Sequence, residues 1–136
     1  MADISQATKA EIEDAAVRVI IRQFAMRPDP RTFSKPIDRR NENRGYDLYT
    51  ERPGQTLRIE IKAHLREPKS VFVTQKEWQE YCRTTAGNKW ELWNVENLAM
   101  NAERVRVTRY SSIPREALRE SGYWIDLTAC ASDDSY

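Results

Sequence analysis

Apolar and polar residues follow one another in patterns that predict both helices and strands. Residues 5–26 hold long apolar runs without proline or glycine, so they predict one helix that ends before Pro28. Residues 45–50 and 57–63 alternate with period two, and Pro53-Gly54 between them has the composition of a turn. These two segments therefore predict a β-hairpin.

The second half of the chain predicts a further helix and several strands. Thr74 and Glu77 have the spacing of a capping box, which predicts a helix from there to about Thr84. A short helix is expected from Pro114. Strands are predicted at residues 71–74, 90–95, 104–110 and 123–127. The fold class that follows is α/β or α+β, with a mixed central sheet flanked by helices.

The predicted hairpin brings two acids together. A turn centred between Pro53 and Gly54 places Asp47 directly across from Glu60, and Lys62 shares the face of Glu60. Like charges in such a pair destabilise a sheet. A divalent cation would turn this cost into a binding site, because Mg²⁺ takes one or two carboxylates plus waters. The open alternative is that both acids face solvent and are balanced by neighbouring lysine and arginine side chains.

Glu13 is an acid on the apolar stripe of the first predicted helix. At about 100° per residue it falls between Ile20 and Phe24. An acid in that position is costly unless it is paired or bound to a metal. Glu13 is therefore a third candidate carboxylate, or else a partner for an arginine of residues 27–44.

Length and charge limit the classes of protein. The 136 residues suit one domain, expected over residues 1–128 and followed by a loose tail at residues 129–136. With 22 basic and 21 acidic residues the net charge is +1, which excludes a histone-like polycation and an acidic solvating chain. Within residues 27–44, however, six basic residues stand against three acids. Arginine binds phosphate oxygens well, so this segment is either a phosphate-contacting loop or a solvated one.

The sequence lacks the residues that several classes of protein require. Cys82 and Cys130 are too few for a disulfide framework and lack metal-site spacing. His64 is the single histidine, which argues against Ser-His-Asp and Cys-His hydrolases. No phosphate-binding glycine motif is present. No apolar run approaches the roughly 18 residues of a membrane span, and Met1 to Ala10 have no apolar signal core, so a cytoplasmic location is expected.

Five segments together carry a family resemblance. They are IEDAA at 12–16, NRGYDL at 43–48, RIEIK at 58–62, VTQKEW at 73–78 and WELWNV at 90–95. The chain resembles the NO VEIN C-terminal-like domain family over about residues 8–96. That family is similar to a branch of the PD-(D/E)XK restriction-endonuclease-like superfamily. The resemblance implies an αβββαβ core and a place beside a helicase in bacterial defence or restriction systems.

The resemblance also implies roles for individual residues. Asp47 and Glu60 would hold Mg²⁺ or Mn²⁺, with the main-chain carbonyl of Ile61 as a further ligand. Lys62 would be the catalytic lysine that orients or deprotonates water and stabilises negative charge. Glu13 would be the helix acid that binds a metal-bound water or a second ion. Apart from the resemblance, the basic segment and the face of Lys62 give the candidate nucleic-acid contacts, which are Arg39, Arg40, Arg44 and His64.

The leading interpretation is a Mg²⁺-dependent nuclease domain that cleaves DNA phosphodiester bonds. A near-neutral chain attracts a polyanion weakly, so we expect a helicase or another defence-system subunit to deliver it to DNA. The alternative is a catalytically inactive module of the same fold that binds nucleic acid or a protein partner. A third interpretation is a structural role in which the acids are held in salt bridges.

Overall fold

Two α-helices and nine strands form the regular structure of the described residues. The computed structural model describes residues 8–26, 33–68, 70–114, 117–119, 124–131 and 134–135. The helices are α1 (Lys9–Met26) and α2 (Gln75–Cys82). The strands are β1 (Ile37–Asp38), β2 (Leu48–Arg52), β3 (Gln55–Ala63), β4 (Ser70–Phe72), β5 (Asn88–Glu96), β6 (Arg106–Tyr110), β7 (Leu118–Arg119), β8 (Trp124–Asp126) and β9 (Asp134–Ser135).

Six of these strands form one mixed sheet in the order β1-β2-β3-β5-β6-β9. Strands β3 and β5 are parallel, and the other neighbours are antiparallel. Parallel strands need a long connection, and here it contains β4 and α2. The remaining strands form a small sheet in the order β4-β8-β7. The mixed α/β class predicted from the sequence is confirmed.

The β2–β3 hairpin has the predicted register. Leu48 pairs with Ile59 and Thr50 pairs with Leu57, on either side of a turn at Pro53-Gly54. Gly54 has a φ of 78°, a left-handed conformation that glycine adopts without strain. Strand β2 begins at Leu48, three residues later than predicted, because the preceding residues form an irregular segment.

Both faces of β3 are buried, although its apolar residues alternate with polar ones. Leu57, Ile59 and Ile61 pack against the apolar stripe of α1. Side chains alternate along a strand, so the intervening residues point to the other face. There Trp90 and Leu92 of β5 form a second cluster with residues of α2 and the small sheet. The polar residues on this face of β3 are therefore enclosed by protein.

Some predictions fall differently in the structure. Strand β7 occupies part of the region after Pro114 in which a short helix was predicted, because Leu118–Arg119 pairs with β8. The predicted tail contains β9, which pairs with β6. The predicted start of the first helix at residues 5–7 and its proline stop at residues 28–30 lie outside the described residues. Neither described helix is long and apolar enough to cross a membrane.

Candidate active site

A constrained segment from Asn43 to Asp47 leads into β2. Asn43 and Gly45 have φ angles of 50° and 84°, both left-handed. A Cβ atom on Gly45 would lie 2.7 Å from the side chain of Glu80 and 3.0 Å from a main-chain oxygen of α2, so this close approach requires glycine. The Gly45 carbonyl accepts a hydrogen bond of 3.1 Å from the indole of Trp90. The segment is thus fixed against both α2 and β5.

Asp47 is held in place by main-chain hydrogen bonds to β3. Its N–H donates to the Ile59 carbonyl at 2.8 Å. Its carboxylate Oδ2 accepts the N–H of Ile61, also at 2.8 Å. The Asp47 side chain therefore takes the place of a main-chain acceptor at the end of the hairpin ladder, and its position is fixed before any ligand binds.

Glu60 and Lys62 meet Asp47 on the enclosed face of β3. Glu60 is 4% exposed, and its side chain interacts with the Asp47 carboxyl. Lys62 Nζ lies 3.1 Å from Glu60 Oε2. The same ammonium lies 2.9 Å from Oε1 of Glu77, which extends from the first turn of α2. We call Asp47, Glu60, Lys62 and Glu77 the acid–lysine cluster.

Glu77 is the member of the cluster that the sequence did not predict as a site residue. The predicted capping box is confirmed, since Glu77 Oε1 accepts the Thr74 N–H at 3.0 Å and Thr74 Oγ1 accepts the Glu77 N–H at 3.1 Å. The same oxygen also accepts from Lys62. The available signal was that this acid starts the helix connecting two parallel strands, which places it over the sheet face that carries Lys62.

Burial and charge shift the protonation equilibria of the acid–lysine cluster. Burial raises the pKa of Asp47 above its ordinary value, although the Ile61 N–H and the charge of Lys62 oppose the shift. Burial raises the pKa of Glu60 strongly; Lys62 opposes this, and Asp47 and Glu77 add to it. Burial alone would lower the pKa of Lys62, but the charges of Glu60 and Glu77 have the larger combined effect and raise it above its ordinary value. Asp47 and Glu60 therefore favour a proton or a cation, and Lys62 stays charged.

The acid–lysine cluster offers few direct metal ligands. Within the part of the chain that the structure describes, no three His, Cys, Asp or Glu side chains are grouped as a metal site. Mg²⁺ needs only one or two carboxylates, because waters and substrate oxygens complete its shell. Asp47 and Glu60 fit that requirement, since Asp47 is half-buried, Glu60 is buried, and both are oxygen donors with raised pKa values. The main chain of Ile61 lies against Asp47, and the ligand role predicted for its carbonyl stays a prediction.

Glu13 is not brought to the acid–lysine cluster. It is half-buried on α1, and α1 packs on the Ile59 and Ile61 face of β3, opposite Glu60 and Lys62. The side chains that act on Asp47 are those of Lys62, Glu77 and Glu60. Among the described residues no ion pair of the Glu13 side chain is present, and its catalytic role stays a prediction.

The three predicted phosphate-binding arginines already contact groups of the protein. These contacts are Arg39 with the Tyr46 hydroxyl (3.2 Å) and the Tyr49 ring (4.2 Å to its centroid), Arg40 with Asp14 (2.7 Å) and Asp38 (2.8 Å), and Arg44 with Glu42 (2.9 Å). Arg44 is the most open of the three, with 52% of its side chain exposed. The segment adjoins the cluster, because the Arg39 N–H donates to the Asp47 carbonyl at 2.8 Å. Nucleic-acid binding by these arginines stays a prediction.

His64 continues the row of Glu60 and Lys62 at the end of β3. Its N–H donates to the Val95 carbonyl at 2.9 Å, which fixes the main chain beside β5. Burial lowers the pKa of the imidazole; contact with the Asn94 side chain opposes this, and the charge of Lys62 adds to it. A neutral imidazole is a weaker phosphate ligand than a charged one, and the predicted phosphate contact is untested.

A family model described as Protein NO VEIN, C-terminal, matches residues 12–110. The chain belongs to this family. No curated protein and no solved structure matches the chain. The matched range of the NO VEIN C-terminal family contains all four residues of the acid–lysine cluster and ends at Tyr110, the last residue of β6. The site described above thus lies within the part of the chain that defines its family, and β7, β8 and β9 lie outside it.

Proposed function

We propose that this NO VEIN C-terminal domain is a metal-dependent nuclease domain that cleaves DNA phosphodiester bonds at the acid–lysine cluster. The observation that carries the proposal is a largely buried lysine ammonium that pairs with two carboxylates, those of Glu60 and Glu77, and a third carboxyl group, that of Asp47, which interacts with Glu60. If all four groups were ionised, the net charge would be −2. The next cation on the same face of β3, Arg58, is already paired with Glu80. A divalent cation has the charge that this enclosed group lacks.

Asp47 and Glu60 are the residues that would hold the cation. When bound, Mg²⁺ or Mn²⁺ supplies Lewis-acid stabilisation of a phosphate oxygen and lowers the pKa of a bound water. The Ile61 N–H fixes the Asp47 carboxylate, so one ligand is already oriented. The raised pKa of Glu60 makes a nearby cation favourable, because the cation stabilises the charged carboxylate.

Lys62 is the residue assigned to the substrate side of the reaction. Its ammonium stays charged because Glu60 and Glu77 raise its pKa. Held between these two carboxylates, it would donate a hydrogen bond to the attacking water or to a phosphate oxygen that gains negative charge. Glu77 is then a positioning residue, which holds the Lys62 ammonium and is itself held by the N-terminus of α2.

The order of elements supports a restriction-endonuclease-like core. In the main sheet and its two helices the order is α1, β1, β2, β3, α2, β5, which is an αβββαβ arrangement. Glu60 and Lys62 lie on β3, which is central to this sheet. Strand β4 is additional to that core, since it belongs to the small sheet.

DNA as substrate, and a helicase or another subunit of a bacterial defence system as partner, are part of the same proposal. They are supported by the family and by the near-neutral net charge of +1, which gives the domain little attraction of its own for a polyanion. A partner that already holds DNA would remove the need for a large basic surface.

A catalytically inactive binding module is the second candidate. It is favoured by the double ion pair of Lys62, which neutralises part of the acidic charge without any metal. In that case the acid–lysine cluster stabilises the junction of β3 and α2, and the domain binds nucleic acid or a protein through other surfaces.

A cleavage assay with matched lysine variants separates the two candidates. Wild type is incubated with single- and double-stranded DNA in Mg²⁺, Mn²⁺ or a chelator. We expect metal-dependent cleavage that falls by about 100-fold or more in Lys62→Met, the scale of a lost general acid–base or charge-stabilising group. Lys9→Met is the control, because Lys9 is exposed at the start of α1, and this variant should cleave as wild type does. Cleavage that persists in Lys62→Met refutes the assigned role, and the absence of cleavage of every DNA substrate by wild type favours the binding module.

A further inference from the structure

A cleft of about 220 Å³ lies on the sheet face opposite the acid–lysine cluster. It opens beneath the last turns of α1, at the hairpin end of the main sheet, and Leu57 and Trp93 form part of its floor. Both belong to the apolar cluster that packs against α1, whereas Glu60 and Lys62 point to the other face. We call it the α1 cleft. No step of the proposed nuclease mechanism uses it.

Two half-buried phenylalanines give the α1 cleft aromatic walls. Phe24 stacks on Trp93 with ring centroids 5.5 Å apart and planes 9° apart. Phe33 is covered on one side by the guanidinium of Arg52, 4.5 Å from its centroid. Both rings are thus held by contacts with other lining residues, and their remaining apolar surface can pack against a planar group.

Among the described residues that line the α1 cleft, cations outnumber acids. Three cations, Arg52, Lys89 and Arg109, line it with one acid, Glu91. Glu91 is 3% exposed; it accepts hydrogen bonds from Arg109 Nε at 3.2 Å and from the indole of Trp93 at 2.9 Å. Lys89 is half-buried, and in the part of the chain that the structure describes it forms no ion pair. Its ammonium is therefore available to an anion.

One residue that lines the α1 cleft, Gln23, has an unsatisfied acceptor. The side-chain oxygen of Gln23 is buried and has no hydrogen-bond partner among the described residues. Buried polar atoms are nearly always paired, so an unpaired one calls for a donor. A ligand N–H group would supply it.

We propose that the α1 cleft binds a nucleotide unit. The base enters between the phenylalanines, an N–H of the base donates to Gln23, and the phosphate is held by Lys89 at the mouth. The volume is below the roughly 300–1,000 Å³ of pockets for larger ligands, so one ring system enters and the sugar and phosphate remain near the surface. The nucleotide is either free in solution or part of a DNA strand, and the same contacts with the base and the phosphate would recognise both.

Calorimetric titration of the whole chain tests this proposal. Adenosine 5′-monophosphate is the probe, because adenine has an amino group that donates; adenosine, inorganic phosphate and a short single-stranded oligonucleotide are compared with it. We expect saturable binding of the monophosphate that weakens at least tenfold in Lys89→Met, with the affinity for adenosine unchanged. Lys76→Met, an exposed lysine on α2 across the sheet, is the charge-matched control and should bind as wild type does.

Three results would overturn the proposal: no saturable binding of either the monophosphate or the oligonucleotide, equal affinities for wild type and Lys89→Met, or inorganic phosphate that binds as tightly as the monophosphate. If Lys89→Met does not fold, Gln23→Met removes the acceptor instead, and the monophosphate should again bind at least tenfold more weakly. Tighter binding of the oligonucleotide supports a strand as the natural ligand, and tighter binding of the monophosphate supports a free nucleotide.

Discussion

Asp38 and Asp47 lie at the two ends of the segment between β1 and β2, and their pKa values are shifted in opposite directions. Burial raises the pKa of Asp47, whereas a hydrogen bond from Arg40 lowers the pKa of Asp38. The charged form of Asp47 is therefore unfavourable in the metal-free native state, and the charged form of Asp38 is favourable. The two aspartates make a matched pair for testing how the enclosed site affects stability.

We predict that Asp47→Asn and Asp38→Asn change stability with opposite pH dependence in metal-free buffer. A raised carboxyl pKa adds stability that is present below the ordinary aspartate pKa and is lost as pH rises through the raised value. An asparagine in place of Asp47 does not titrate and can still accept the Ile61 N–H. The free energy of unfolding of Asp47→Asn, relative to wild type, should therefore increase as pH rises from about 4 to 7. Asp38 adds stability that is lost as pH falls, so Asp38→Asn should be less stable at pH 7 and approach wild type in acid.

Urea unfolding from pH 4 to 8 measures both differences. A stability deficit in Asp47→Asn that grows as pH rises would contradict the prediction, because it would mean that the Asp47 charge is stabilised by the fold rather than penalised by it.

The residue-scale predictions from sequence succeeded where local geometry sufficed. The turn and the two-residue period set the hairpin register, which brings Asp47, Glu60 and Lys62 to one place. Glu77 was missed as a site residue because the docking of α2 on the sheet depends on tertiary packing. The helical period correctly marked Glu13 as partly buried, but a period gives no information about which sheet face α1 covers.

At the scale of elements, α2 combines two tasks at its first turn. The Thr74–Glu77 capping box satisfies main-chain donors at the helix N-terminus, and Glu77 also contacts Lys62. Stability and site geometry can be separated here, because glutamine serves a capping box nearly as well as glutamate but carries no charge.

We predict that Thr74→Ala and Glu77→Gln divide these tasks. Thr74→Ala should lower the free energy of unfolding by about 1 kcal/mol, the usual effect of losing an N-cap, and leave kcat for DNA cleavage near that of wild type. Glu77→Gln should keep most of the stability and lower kcat more than it changes KM, since Lys62 loses a charged partner. Steady-state kinetics with denaturant unfolding measures both. Equal kcat in Glu77→Gln and wild type would remove Glu77 from the proposed site.

For the whole molecule, the sequence predicted the α/β class and the main hairpin but not the arrangement of the second half. The capping box and the apolar run of β5 are strong local signals, and both elements are present. Two strands of the small sheet, β4 and β8, were predicted at residues 71–74 and 123–127, but their pairing with each other and with β7 was not, because it joins segments far apart in the chain. That sheet matters for the site, since its cluster helps to enclose the polar face of β3.

Thermal unfolding with and without a divalent cation tests the metal site most directly, because it requires no knowledge of the substrate. Wild type and Asp47→Asn are compared at matched ionic strength, with and without millimolar Mn²⁺ or Mg²⁺. A cation at 100 times its Kd stabilises the native state by about 2.7 kcal/mol, a shift of several degrees in Tm. We predict that shift in wild type and none in Asp47→Asn. If neither cation changes the Tm of wild type and the Tm of Asp47→Asn is lower than that of wild type, the carboxylates are salt-bridge partners. The metal-dependent nuclease proposal is then wrong.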